Sequence, residues 1–106
     1  MTLRELQAEM HEIAKSKGWW QGNVNCPEKI ALMHSELSEL LEAFRHNPLA
    51  PSEHCPSINA AEEELADVII RVLDFAGYHD YDIENAVMVK AAYNKTRPYM
   101  HGGKKF

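Results

Sequence analysis

The sequence predicts an all-α chain of four helices, and three observations predict it. Apolar residues recur every three or four positions from Ile30 to Phe44, where Ile30, Met33, Leu37, Leu40, Leu41 and Phe44 form one stripe. Helix starts are marked at Thr2, at Asn25 or Cys26, near Asn59 and at Asp82. No stretch shows the strict apolar–polar alternation of a half-buried strand. At 106 residues the chain is read as one domain spanning 1–106. That length buries roughly two thirds of the unfolded surface without disulfides or metal staples.

The first helix is expected from Leu3 to about Ser16. Thr2-Leu-Arg-Glu5 is a capping box, and Leu3, Leu6, Met10 and Ile13 make the buried stripe. Gly18 stops it. Trp19 and Trp20 follow, and two adjacent side chains cannot both point inward from regular structure. Either one ring anchors the core while the other is partly exposed, or the pair offers a stacking platform for a flat ligand such as a nucleobase. Pro27 suits the first turn of the second helix, with Asn25 or Cys26 as its cap and Arg45 near its end. Residues 46–58 hold three of the five prolines and read as a long loop, a candidate lid or interface segment.

The third helix is expected from near Asn59 to Ala76, with Gly77 as its C-terminal cap. Ala61, Leu65, Val68, Ile69, Val72 and Phe75 form its main stripe. Ile70 and Leu73 lie outside that stripe, so the helix is apolar around most of its circumference and should be buried on most sides. Asp82 caps the fourth helix, which runs to about Thr96 before Pro98. Ile83, Val87, Lys90, Asn94 and Arg97 share one of its faces, apolar at the start and cationic at the end.

Charge is unevenly spread. The net charge is −5, yet from Lys90 onward there are five basic residues and no acid. The body before Lys90 is acidic, which argues against broad binding to a nucleic-acid polymer. A small polyphosphate held between carboxylate-bound cations and a basic arm would use both signs. No apolar run approaches a membrane span and no signal segment is evident, so the cytoplasm is the expected location and no membrane partner is expected. Cys26 and Cys55 form no CxxC pair, and their spacing with His34 or His54 does not fit common zinc patterns.

The chemistry-bearing feature is a pair of carboxylate pairs. Glu36 and Glu39 lie about 60° apart around their helix and about 4.5 Å along it, so both flank the apolar stripe on one side. Glu64 and Asp67 repeat the arrangement on the third helix. If these helices pack side by side, the four carboxylates converge on one pocket. Arg71, one turn beyond Asp67, could neutralise part of their charge. Oxygen-only donors suit Mg²⁺, with Mn²⁺ as the alternative, and Mg²⁺ in proteins commonly retains waters and binds substrate phosphate.

Glu36-x-x-Glu39, a gap of 24 residues, and then Glu64-x-x-Asp67 resemble the MazG-like family of all-α nucleoside triphosphate pyrophosphohydrolases. The contexts H-S-E-L-S-E-L-L-E-A-F-R and E-E-E-L-A-D-V-I-I-R are similar to that family's second and third helices. Lys90-x-x-x-Asn94-x-x-Arg97-Pro98, followed by His101-Gly-Gly-Lys104, is similar to its C-terminal segment. The resemblance covers about residues 28–105. It implies a four-helix bundle with helices shared across a homotetramer or homodimer. It also implies Mg²⁺-dependent hydrolysis of an NTP or dNTP to the monophosphate and pyrophosphate. On this reading Glu36, Glu39, Glu64 and Asp67 carry the metal, and Lys90, Asn94, Arg97 and Lys104 hold phosphate oxygens. Trp19 and Trp20 precede the matching blocks, and their base-stacking role is an inference from the residues alone.

Competing readings differ in class. A di-iron carboxylate bundle characteristically uses Glu-x-x-His pairs, and no histidine here has a glutamate three positions before it. A phosphoribosyl-ATP pyrophosphohydrolase shares the chemistry and differs in substrate. A non-catalytic helical adaptor would bind a nucleotide or partner protein without turnover.

Overall fold

The computed structural model describes residues 1–100 and 105. It contains four helices, α1 (Leu3–Ser16), α2 (Cys26–Arg45), α3 (Ala60–Tyr78) and α4 (Ile83–Thr96), and no strand among the described residues. Each helix begins on a side chain that satisfies a free backbone N–H. Thr2 and Glu5 complete a reciprocal capping box on α1, and Asn59 and Glu62 complete another on α3. Asn25, rather than Cys26, caps α2 by accepting from the Glu28 amide, and Asp82 accepts from the Asn85 amide. Such caps contribute about 1 kcal/mol each. Gly18, at φ +86°, takes the left-handed turn that ends α1.

The end of α3 departs from expectation. The helix runs through Gly77 to Tyr78, with His79 as its cap. Gly77 does not terminate the helix; it lets α1 come close. A Cβ placed there would stand 2.7 Å from His11 Cβ. The reversal comes at Asp80, at φ 56°, where the Tyr81 amide donates to the Ala76 carbonyl.

α3 is the central element, with both α2 and α1 packed along it. The fully buried apolar residues among those described are Leu73 and Ala76, each 2% exposed, while Ala61, Val68 and Phe75 of the expected stripe are half-buried. This corrects the expected stripe: Leu65, Ile69 and Val72 are exposed, whereas Leu73, assigned outside the stripe, is the buried one. α2 shows the same offset. Its inward positions are Lys29, Leu32, Met33, Glu36, Leu40 and Ala43, while Ile30, Leu37, Leu41 and Phe44 remain exposed. One neighbouring helix covers only one side of another, and these apolar arcs are wider than that contact.

α4 meets α1 near the start of both helices. The Leu3 amide donates to Glu84, Arg4 pairs with Asp82 at 3.2 Å, and Gln7 Nε2 donates to the Tyr81 carbonyl. From Asn85 to Thr96 every residue is exposed. The face that carries Val87, Lys90 and Asn94 therefore does not pack against the other helices within one chain. The radius of gyration, 16.2 Å, exceeds the roughly 13 Å of a compact chain of this length.

The 46–58 loop is tied to the start of α3. Buried Ser52 donates its amide to the Ile58 carbonyl at 2.9 Å, and its hydroxyl donates to Glu63. The Ala60 amide donates to Ala50 and the Ala61 amide to Pro48. No helix among the described residues is long and apolar enough to cross a membrane.

Candidate functional site

Glu36 lies on the α3-facing side of α2, and Glu64 and Asp67 lie one turn apart on α3. Their carboxylate oxygens come within 4.8 Å of one another, and all three residues are half-buried. Among the described residues this is the group of three or more potential metal ligands. Arg71 Nε donates to Glu36 Oε1 at 2.9 Å, and its positive charge also acts on Asp67. Burial pushes the Asp67 carboxyl above its ordinary value, and the Glu36 and Glu63 charges add to the shift while Arg71 opposes it. Burial also raises Glu64, with Asp67, Glu63, Glu39 and Glu36 adding to it. Both shifts favour the neutral acid, first because burial disfavours the charged form and then through repulsion from neighbouring acids. A hard divalent cation bound by carboxylate oxygens would relieve that repulsion.

Glu39 stands outside that group. It is exposed, and 60° farther round α2 it turns past the triad. It lines a second cavity of about 400 Å³ with Glu42, His54, Glu63 and Glu64. Glu63, not singled out by its spacing, accepts from Ser52 and pairs with His54 at 3.3 Å.

The larger cavity, about 440 Å³, opens between α1, α2 and α3. Glu36 and Asp67 border it. Ile13, Ile70 and Phe75 supply apolar wall, and Lys17, Lys29 and Arg71 supply positive charge. Both tryptophans line it, in different states. Trp20 is half-buried, stacks on Tyr78 at 4.2 Å and 6°, and donates Nε1–H to Asp74 Oδ1 at 2.8 Å. Trp19 is exposed, with the Arg71 guanidinium 5.6 Å from its ring centre. Lys29 lies 4.4 Å from the Trp20 ring centre and donates to the Trp19 carbonyl. One ring is thus anchored and the other offered to the cavity.

Lys90, Asn94 and Arg97 do not line this cavity in the single chain. Lys90 and Arg97 instead lie 4.6 and 5.8 Å from the Tyr93 ring centre. Lys104 and His101 lie outside the described residues. Cys26 Sγ is 3.6 Å from His79 Nε2, while Cys55 and His34 are exposed and do not join it in a metal cluster.

Sequence reasoning missed Lys17, Lys29, His11, Asp74 and Tyr78 as contributors to this region. A signal for Asp74 was present. Asp67, Arg71 and Asp74 follow i, i+4, i+7 spacing and share one stripe of α3. The lysines carry no such signal, because their placement depends on how α1 and α2 cross α3. Neither a scan against protein-family models nor searches of curated proteins and solved structures find a match for this chain.

Proposed function

We propose that this protein is a divalent-metal-dependent pyrophosphohydrolase that cleaves a nucleoside or deoxynucleoside triphosphate to the monophosphate and pyrophosphate. The observation that carries the reading is the convergence of Glu36, Glu64 and Asp67 at the edge of a cavity holding an exposed tryptophan and three cationic side chains. The motif resemblance supports the same chemistry.

Glu36, Glu64 and Asp67 would hold Mg²⁺ or Mn²⁺, and Glu39 is near enough to influence Glu64. When bound, the metal supplies Lewis-acid polarisation of phosphate oxygens and lowers the pKa of a coordinated water. Attack of a water oxygen on the α-phosphorus would break the bond to the bridging oxygen, release pyrophosphate with that oxygen and pass the water's proton to solvent. Lys17, Lys29 and Arg71 offset polyphosphate charge, and Arg71 can grip oxygens in a bidentate way. Trp19 offers a face on which a base can stack.

Self-association belongs to the same proposal. The exposed residues Ile30, Leu37, Leu41 and Phe44 on α2, and Leu65, Ile69 and Val72 on α3, are more apolar surface than a monomer ordinarily leaves open. A dimer or tetramer would cover them, and it would let Lys90, Asn94 and Arg97 of one copy reach the cavity of another.

The test is a nucleotide panel, including phosphoribosyl-ATP, with Mg²⁺. Pyrophosphate and orthophosphate release are followed separately. Pyrophosphate release lost on chelation is the expected result. Orthophosphate release would overturn the reaction, and binding without turnover would favour the adaptor reading.

A further inference from the structure

We infer that Asp74 reads the base: its carboxylate selects nucleobases that present an exocyclic amino group, such as cytosine, over uracil and thymine. The inference rests on the nucleotide reading above and adds the identity of the group that discriminates among bases.

The geometry of Asp74 divides its two oxygens. Oδ1 accepts from His11 Nδ1 at 2.9 Å and from Trp20 Nε1 at 2.8 Å. Oδ2 makes no hydrogen bond among the described residues, and Asp74 lines the cavity. The side chain is 17% exposed, so the open oxygen is not one of many solvated surface acids. The two donors fix the carboxyl in place. Trp20 is itself held against Tyr78, and His11 meets Trp20 edge-on at 5.6 Å. Acceptor-only chemistry in a fixed position is the condition for discriminating a donor from an acceptor.

The register places this oxygen well. Asp74 lies seven residues beyond Asp67 on α3, about 20° round the helix and about 10.5 Å along it. Arg71 lies between them on the same stripe. A polyphosphate at the carboxylate triad would therefore extend its base toward Asp74, past the cationic side chains. An amino group on cytosine or adenine can donate to Oδ2. The O4 carbonyl of uracil or thymine would set acceptor against acceptor, with no proton between them, in a partly desolvated place.

The test uses α,β-methylene triphosphate analogues, which resist cleavage, with Mg²⁺. The chain's two tryptophans, Trp19 and Trp20, both line the cavity, so quenching of their fluorescence reports binding. The intact protein is expected to bind the cytidine analogue on the order of ten- to a hundredfold more tightly than the uridine analogue. An N4,N4-dimethylcytidine analogue should lose that advantage, a comparison that needs no substitution. Asp74→Asn retains one oxygen for Trp20 and His11 and puts an amide N–H₂ in place of Oδ2. It should narrow or invert the cytidine-to-uridine ratio. Equal dissociation constants in the intact protein, or an unchanged ratio in a folded Asp74→Asn variant, would overturn this inference alone. No quenching by any analogue would overturn the nucleotide reading and this inference with it.

Discussion

Arg71 and Glu36 meet across the α2–α3 contact, Nε to Oε1 at 2.9 Å, beside the other two carboxylates of the triad. The pair links the two central helices and offsets part of the charge that Glu64 and Asp67 leave unbalanced. Arg71→Met should destabilise the metal-free protein by about 1–2 kcal/mol, since the side chains are only 29% and 14% exposed. Urea unfolding with and without Mg²⁺ checks this. The deficit should shrink when Mg²⁺ is present. Unchanged metal-free stability would show that the pair holds nothing together.

The carboxylates should rank unequally. Asp67→Asn and Glu36→Gln are expected to lower kcat/KM at least a hundredfold, the scale of losing a metal ligand. Glu39→Gln should cost less, because Glu39 is exposed and lies outside the triad. An equal loss would mean that Glu39 joins the ligand set once metal is bound.

The same acids predict a pH dependence of opposite sign to that of a stabilising salt bridge. Asp67 and Glu64 have folded-state values raised by burial, so their charged forms are disfavoured in the fold. The contribution of these two acids to metal-free stability should therefore decline as pH rises through the carboxylate range, and added Mg²⁺ should reverse that decline. Asp67→Asn should raise the metal-free Tm at pH 7. Thermal melts of both proteins at pH 4 and pH 7 decide it, and a lowered Tm at pH 7 would contradict the sign.

Gly77→Ala should destabilise the fold by about 1–3 kcal/mol, the range for an overpacked contact. The added methyl would stand 2.7 Å from His11 Cβ, 3.1 Å from His11 Cγ and 3.4 Å from the Gln7 carbonyl oxygen. On an exposed helix the same change would stabilise by about 1 kcal/mol, so denaturation curves separate the two cases by sign.

Residues on α4 test the assembly. Arg97→Ala and Asp67→Asn should each be nearly inactive alone, yet co-refolded mixtures should recover a fraction of wild-type rate. One hybrid site would then take its carboxylates from one copy and its arginine from the other. Leu41→Lys with Phe44→Lys should dissociate the assembly in sedimentation. No recovery on mixing would confine Arg97 to its own chain or to no site at all.

The sequence by itself determined the helices and their starts. Caps such as Thr2 with Glu5 and Asn59 with Glu62 act within four residues, so their meaning is local and needs no tertiary context. It also marked Glu36, Glu39, Glu64 and Asp67 as candidates, because three-residue spacing sets two carboxylates near one face of a helix. The meeting of α2 and α3 decided that Glu36 joins Glu64 and Asp67 and that Glu39 does not. Tertiary structure decided the rest. Gly77 looks like a helix terminator in the sequence, but the approach of His11 makes it a close-packing position. The apolar arcs of α2 and α3 were legible, yet their width exceeded one helix contact. Only the crossing of the helices decided that Leu73 would be buried and Leu65 exposed. Lys29 reached the cavity, and the cationic end of α4 did not, for the same reason. A residue's face on its own helix follows from the 100° step, but which neighbour that face meets depends on contacts made far away in the chain.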